Sequence, residues 1–152
     1  MPVVQESIVV QQPAEVVFDF LVDPQNLAVW ESSVVEARQI DDGPAVVGTR
    51  SEGVNKVVGV RFDWASKVTE LERPNAVVWS AVAGGDRFHF TVAYRVEPVD
   101  GGARVTYHVE ADPGLGGVFG RFTDPLVVGA QRRTMRSSLE NLAAILATPL
   151  AP

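Results

Sequence analysis

The sequence contains no cysteine, which excludes disulfide bonds, thiolate metal sites and a cysteine nucleophile. A chain without cysteine fits the reducing cytoplasm, and we expect a cytoplasmic location. Histidine is almost as scarce, with only two residues in the chain. His89 and His108 both fall on the polar side of their predicted strands, so we expect no metal site, no histidine base and no cofactor.

The sequence also lacks an excess of basic charge and long apolar runs. The 13 Lys and Arg residues against 19 Asp and Glu give a formal net charge of −6, which disfavours binding to a phosphate backbone. No stretch approaches the ~20 apolar residues that a bilayer span needs, so no stable membrane insertion is expected. With 152 residues, the chain is expected to form a single domain over residues 1–152, as a monomer or a homodimer.

The first thirty residues show clear signals of local structure. Residues 3–10 are rich in β-branched side chains and predict a strand. Pro13 suits the first turn of a helix that follows. Asp23 and Pro24 then predict a second short helix, with Asp23 as the N-cap and Pro24 in the first helical position. Trp30 lies on the apolar face of this second helix.

The middle of the chain is strand-like and is divided by turns rich in Gly, Pro, Asn and Asp. The short connections between strands imply an antiparallel meander. Apolar residues alternate with polar ones in several of these strands, so one face of the sheet is expected to be buried. The predicted strands lie near residues 33–40, 45–53, 57–71, 76–83, 86–97 and 103–111.

Aromatic side chains are concentrated on the predicted buried face. They would dominate the interior, because each aromatic buries about 150–250 Å². The residues with this parity are Phe62, Trp64, Phe88, Phe90, Tyr94 and Tyr107, and Trp79 is a further candidate.

The C-terminal region predicts a long helix that covers this face. Apolar residues recur there at helical spacing, and they are Val128, Met135, Leu139, Leu142 and Leu146. Phe119 and Phe122 precede this stripe. The helix either begins at Pro125 with Asp124 as its cap or extends over about residues 117–147 with a bend near Pro125, and we favour the longer helix.

The stretch from Gln12 to Trp30 resembles the opening of the START/Bet v 1-like (SRPBCC) superfamily, in its polyketide cyclase/dehydrase-like branch. Val47-Gly48-Thr49 and Arg73-Pro74 also look like this family, and the resemblance covers nearly the whole chain. It implies an α+β helix-grip fold. In that fold a seven-stranded curved antiparallel sheet wraps around the long C-terminal helix, two short helices follow the first strand, and an apolar cavity remains between sheet and helix.

Such a cavity implies the binding or carriage of a hydrophobic small molecule, for example a lipid, isoprenoid, polyketide or aromatic metabolite. From residue types alone, the alternative is a solid core. The expected ligand-binding residues are Phe62, Trp64, Trp79, Phe88, Phe90, Tyr94, Tyr107, Phe119, Phe122, Arg132 and Met135.

Two other functions are compatible with the resemblance. The first is an enzyme of the cyclase or dehydratase class, in which the hydroxyls of Tyr94 and Tyr107 are the candidate catalytic groups that polarise a carbonyl. No nucleophile-elbow or zinc-helix motif supports a particular reaction. The second is a chaperone-like or toxin-like module that binds a protein partner, for which we would expect an exposed apolar patch without a deep cavity.

Three charged residues can be placed either inside or outside the cavity. Arg50 and Glu52 share parity with Val46 and Gly48, so they can face the cavity mouth or form surface ion pairs. Arg132 flanks the apolar stripe of the C-terminal helix. Its guanidinium can pair with a ligand carboxylate or phenolate, or it can reach water while its stem covers the core.

Overall fold

The computed structural model describes residues 3–57, 59–83, 88–111 and 125–147. Its strands are β1 (Val3–Val10), β2 (Val34–Gln39), β3 (Arg50–Val57), β4 (Val60–Glu72), β5 (Ala76–Ala83), β6 (Phe88–Val99) and β7 (Gly102–Ala111). Its helices are α1 (Ala14–Val22), a 3₁₀ turn (Pro24–Asn26), α2 (Leu27–Trp30) and α3 (Pro125–Ala147).

The seven strands form one antiparallel sheet in the order β1-β7-β6-β5-β4-β3-β2. Strands β2 to β7 pair with their neighbours in sequence, as the short turns predicted. Strand β1 lies at one edge of the sheet and pairs with β7. Helix α3 packs against β1 and α2. The sheet curves around it, and the structure confirms the predicted α+β helix-grip architecture.

The short helices after β1 begin where the prolines and Asp23 predicted. Pro13 lies immediately before α1, and the backbone N–H of Gln25 donates to Asp23 Oδ1 at 3.0 Å. The second predicted helix is divided into the 3₁₀ turn and the single turn of α2. Helix α2 ends at Trp30, whose side chain is fully buried.

The predicted bounds of the third strand were wrong. Residues near 45–53 were expected to form it, but β3 begins only at Arg50. In the turn that precedes it, the Thr49 backbone N–H donates to the Val46 carbonyl and the Val46 N–H donates to Thr49 Oγ1, while Gly48 has a φ of 98°. Few residues other than glycine adopt this conformation, so Gly48 ends any extended structure before Arg50.

The solid part of the core lies between α1, the second half of α3 and the strands beneath them. Val17, Phe18 and Leu21 of α1 are buried there. From α3 come Met135, Leu139, Leu142 and Leu146, as the helical spacing predicted. The predicted helical segment before Pro125, with its bend, lies outside the described residues. None of the described helices is both long and apolar enough to cross a bilayer.

Candidate functional site

Two adjoining cavities lie between the sheet and the helices in the part of the chain that the structure describes. The larger has a volume of about 150 Å³ and extends from β4, β6 and β7 to Ala130 and Thr134 of α3. The smaller has about 60 Å³ and reaches from Pro24 and Leu27 to β5. The residues that line both cavities are Glu31, Asn55, Phe90, Val92 and Tyr107.

Most of the aromatic residues expected at a binding site line these cavities. The larger cavity is lined by Phe62, Phe88, Phe90, Tyr107 and Met135. The smaller is lined by Trp64, Trp79, Phe90, Tyr94 and Tyr107. Phe119 and Phe122 lie outside the described residues. The strand alternation therefore placed the inward side chains correctly, while contact of any of them with a ligand is still a prediction.

Arg50 and Glu52 point away from the cavities. The Arg50 guanidinium forms an ion pair with Asp41, at 2.8 Å from Nη2 to Oδ1, and Glu52 pairs with Arg38; both pairs are exposed. The hydrogen bonds from Arg50 lower the pKa of the Asp41 carboxyl. Ser51, which lies between Arg50 and Glu52 on β3, lines the smaller cavity, so of the two alternatives the structure shows the surface ion pairs.

Arg132 also does not line either cavity. Its side chain is exposed, with Nε 3.9 Å from a carboxylate oxygen of Glu6 on β1. The neighbouring Gln131 lines the larger cavity instead. One residue corresponds to about 100° of rotation on a helix, which is enough to exchange an inward side chain for an outward one.

Glu31 is the polar residue at the centre of the site, and sequence reasoning did not find it. It follows Trp30 at the end of α2, is only 3% exposed, and lines both cavities. The chain turns there from α2 into β2, so a polar side chain enters the interior at a position that no strand or helix period covers. The only sequence signal is a carboxylate followed by two hydroxyl residues, Ser32 and Ser33.

Hydroxyl and backbone donors hold one oxygen of this carboxylate. Glu31 Oε1 accepts from Ser138 Oγ at 2.9 Å, from Ser33 Oγ at 3.0 Å and from the Ser33 backbone N–H at 3.2 Å. Ser138 lies on α3 and also accepts from the Ser32 backbone N–H at 3.0 Å. The network therefore connects α3 to the α2–β2 junction and fixes the carboxylate in place.

The other carboxylate oxygen has no such partner. In the described part of the chain, three buried side-chain polar atoms lack a hydrogen bond, and they are Glu31 Oε2, Ser51 Oγ and Trp30 Nε1. Glu31 and Ser51 both line the smaller cavity. Buried polar groups are normally paired, so Glu31 Oε2 and Ser51 Oγ are available to hydrogen-bond a molecule that enters this cavity.

Tyr94 and Tyr107 stand beside Glu31 in a cluster of aromatic rings. Their ring centroids are 5.0 Å apart in an edge-to-face arrangement, and Trp30 contacts both rings at 5.6 and 6.0 Å. Burial, and then the negative charge of Glu31, raise the pKa of both tyrosine hydroxyls well above the usual value. Both are therefore neutral hydrogen-bonding groups near neutral pH.

The indole of Trp64 is held in place by a partner on the adjacent strand. Its Nε1–H donates to Asn55 Oδ1 at 2.8 Å, and Asn55 itself lines both cavities. A buried indole N–H requires such an acceptor. The aromatic wall on β4 is thus oriented by a hydrogen bond rather than by packing alone.

The histidines lie away from the cavities. His89 is exposed, and the ring nitrogens of His108 contact Gln5 at 2.7 Å and Glu110 at 2.9 Å. Within the ranges described above, no group of three or more His, Asp or Glu residues is close enough to hold a metal ion.

Comparisons with known proteins agree with this architecture. A family model described as polyketide cyclase / dehydrase and lipid transport matches residues 1–147. No curated protein matches the chain significantly. Among solved structures, a conserved protein from Geobacillus kaustophilus superposes with a TM-score of 0.76 at 16% identity, covering 96% of this chain and 95% of that one.

Two further structures are similar over nearly the same length. A protein from Thermus thermophilus gives a TM-score of 0.74 at 19% identity, with 95% of this chain and 97% of that chain covered. The Zhui aromatase/cyclase from a Streptomyces species gives 0.72 at 14% identity, with 95% and 93% covered. At these identities the likeness shows the fold alone.

Proposed function

Since the chain belongs to the polyketide cyclase/dehydrase and lipid transport family, we propose that it binds a hydrophobic small molecule in the two adjoining cavities. The observation that carries this proposal is an aromatic-lined space between the sheet and α3. The driving force would be removal of apolar ligand surface from water, worth about 25 cal/mol per Å² before the cost of ordering the ligand. A cytoplasmic location is an expectation from the cysteine-free sequence.

An internal cavity also favours a small molecule over the partner-binding alternative. For that alternative we expected an exposed apolar patch without a deep cavity. Here the aromatic residues of β4, β5 and β6 line an interior space instead. Residues that face such a space recognise molecules that enter it.

A substitution that fills the larger cavity tests the proposal. Ala130 lines that cavity from α3, whereas Ala144 lies on an exposed part of the same helix. We expect naphthalene, a neutral apolar probe, to bind the wild-type protein and Ala144→Phe with similar affinity, and to bind Ala130→Phe at least about tenfold more weakly. The measurement is isothermal titration calorimetry.

Native mass spectrometry of the purified protein gives a second readout, because a co-purified ligand adds a defined mass. Failure of the wild-type protein to bind naphthalene, or equal binding by Ala130→Phe, would overturn the proposal. Circular dichroism of both variants shows whether the fold is retained.

A cyclase or dehydratase activity is the second candidate function. It is supported by the family description and by the neutral hydroxyls of Tyr94 and Tyr107 beside the Glu31 carboxylate in a lined cavity. These hydroxyls would donate hydrogen bonds to a substrate carbonyl as negative charge develops on its oxygen.

Turnover of a poly-β-ketone thioester, followed by mass spectrometry, tests this second candidate. An enzyme that uses Tyr107 as a hydrogen-bond donor should lose activity in Tyr107→Phe and keep most of it in Ala144→Phe, which changes an exposed part of α3. Activity that is equal in both variants would remove Tyr107 from the reaction.

A further inference from the structure

In the described part of the chain, no ion pair joins the buried Glu31 carboxylate to a cation. The ion pairs of these residues lie elsewhere, and none of them includes Glu31. Its Oε1 accepts hydrogen bonds from three donors, while Oε2 lacks a hydrogen bond among the described residues, although the Tyr107 hydroxyl interacts with the carboxylate. A buried acceptor left unpaired costs about 1–3 kcal/mol, so this atom favours any molecule that brings a donor to it.

The surroundings of this atom form a polar cluster where the two cavities adjoin. Glu31 and Asn55 line both cavities, Ser51 lines the smaller one, and the tyrosine hydroxyls stand beside the carboxylate. Apolar side chains line both cavities around this cluster, such as Phe88 in the larger and Trp79 in the smaller. A ligand that fits this site is mostly apolar and carries one polar group.

We propose that the Glu31 carboxylate, where the two cavities adjoin, binds a hydroxyl or ammonium group of an otherwise apolar ligand, and that it discriminates against ligands carrying a carboxylate there. This rests on the proposed function and specifies its ligand class. An O–H or N–H donor would complete the hydrogen bonding of Oε2. A ligand carboxylate at the same place would set two anions against each other in a space of low polarity.

Lys56 is the cationic residue that lines the larger cavity within the described ranges. Its side chain is exposed, so its ammonium group is solvated. It lies on β3 next to Asn55, and unlike Glu31 it is exposed. An anionic ligand held at Lys56 would place its charged group away from Glu31, and the experiment separates the two arrangements.

Four probes of one size test the inference by isothermal titration calorimetry at neutral pH. Naphthalene has no donor, 2-naphthol has a hydroxyl, 1-naphthylmethylamine has an ammonium and 2-naphthoate has a carboxylate. We expect 2-naphthol or the amine to bind at least about tenfold more tightly than naphthalene, as a hydrogen bond to a charged group predicts. The stronger of the two shows whether the preferred donor is neutral or cationic. We expect 2-naphthoate to bind more weakly than 2-naphthol.

Glu31→Gln keeps the side-chain shape and removes the charge. We expect it to reduce the advantage of the donor probes over naphthalene to less than about threefold and to improve binding of 2-naphthoate. A thermal melt of the variant confirms that it is folded. Ser137→Ala, which changes an exposed residue of α3, is the control and should leave the relative affinities of the four probes within about twofold of those of the wild-type protein.

Failure of this inference differs from failure of the proposed function. Equal affinity of naphthalene and the donor probes in the wild-type protein means that ordered water or the Tyr107 hydroxyl satisfies Oε2, and it overturns the inference alone. Tight binding of 2-naphthoate that is lost in Lys56→Gln also overturns it, because the anion would then be held at Lys56. Absence of binding by all four probes overturns both proposals.

Discussion

Ser138 connects the candidate site to the long helix at the scale of single residues. It is fully buried on α3 and donates to Glu31 Oε1 while accepting from the Ser32 backbone N–H. A hydroxyl at this position replaces the cation that would usually accompany a buried carboxylate. The stability of the α2–β2 junction and the position of Glu31 therefore depend on the same atom.

Ser138→Ala should destabilise the protein by about 1–3 kcal/mol, because it leaves the Glu31 carboxylate and the Ser32 N–H with fewer partners. Urea denaturation measures the change. Ser137→Ala is the matched control, since Ser137 is exposed on the same helix, and it should change the free energy of unfolding by less than about 0.5 kcal/mol. Equal effects of both substitutions would contradict the role given to Ser138.

The two buried tyrosines should make the stability of the folded protein depend on pH in the alkaline range. Burial, followed by the charge of Glu31, raises the pKa of both hydroxyls, and they are the only tyrosines in the chain. As the folded-state pKa values exceed the unfolded value of about 10, the unfolded state releases these protons first as the pH rises. The stabilisation that the two neutral hydroxyls contribute is complete below about pH 10. It is lost as the pH rises further towards their folded-state pKa values.

Tyrosinate absorbance should therefore appear together with the loss of far-ultraviolet circular dichroism in an alkaline titration. In urea the same absorbance should appear near about pH 10, where unperturbed tyrosine ionises. Ionisation at that same pH with an unchanged dichroism spectrum would show that the hydroxyls are accessible in the folded protein.

At the scale of secondary-structure elements, the aromatic wall of β4 depends on a glycine in β3. Gly53 pairs with Trp64 across the two strands. A Cβ atom at Gly53 would lie 2.4 Å from the indole ring of Trp64 and 2.4 Å from the backbone oxygen of Glu36. The absence of a side chain at Gly53 thus provides the space in which the Trp64 ring lies beside Asn55.

Gly53→Ala is expected to destabilise the protein by about 1–3 kcal/mol, as overpacking does, and to shift the fluorescence of Trp64. Gly129→Ala is the comparison, because a Cβ atom there meets nothing within 4 Å and the residue lies in α3. That change should stabilise the protein by about 0.5–1 kcal/mol, since alanine favours the helix. Thermal melts of both variants measure the change in stability, which should be opposite in sign for the two substitutions. A change in the same direction would contradict the role given to Gly53.

At the scale of the whole molecule, the described part of the chain is close-packed in one half and contains the cavities in the other. The solid half contains α1 and the later turns of α3, where Leu142 and Leu146 are fully buried. In the hollow half, Phe90 of β6 lines both cavities and is only partly buried. One helix has too little volume to fill the whole concave face of a seven-stranded sheet, so space remains where the aromatic residues lie.

This division predicts unequal costs for two large-to-small substitutions. Leu142→Ala removes a side chain from the close-packed half and should cost about 2–5 kcal/mol. Phe90→Ala should destabilise the protein by less than the usual value of about 3–5 kcal/mol for a buried phenylalanine, because its ring already borders open space. The same substitution should weaken naphthalene binding. Chemical denaturation and calorimetry measure the two effects, and a larger cost for Phe90→Ala would show that the hollow half is packed.

The sequence by itself determined the order of the elements, the helix starts at Pro13 and Asp23, and the inward parity of β4, β6 and β7. These features depend on neighbouring residues and on the periods of strands and helices, which a sequence displays directly. The alternation of Phe62 with Trp64, and of Phe88 with Phe90, was therefore enough to place the aromatic wall.

Only the tertiary structure decided which polar groups meet inside. Glu31 lies where α2 passes into β2, outside any repeating pattern, and Ser138 reaches it from 107 residues further along the chain. The orientation of Arg50 and Glu52 was open in the sequence, and the structure shows them in exposed ion pairs, with Ser51 on the wall of the smaller cavity. Contacts of this kind depend on how the elements pack in three dimensions, and local periodicity carries no information about them.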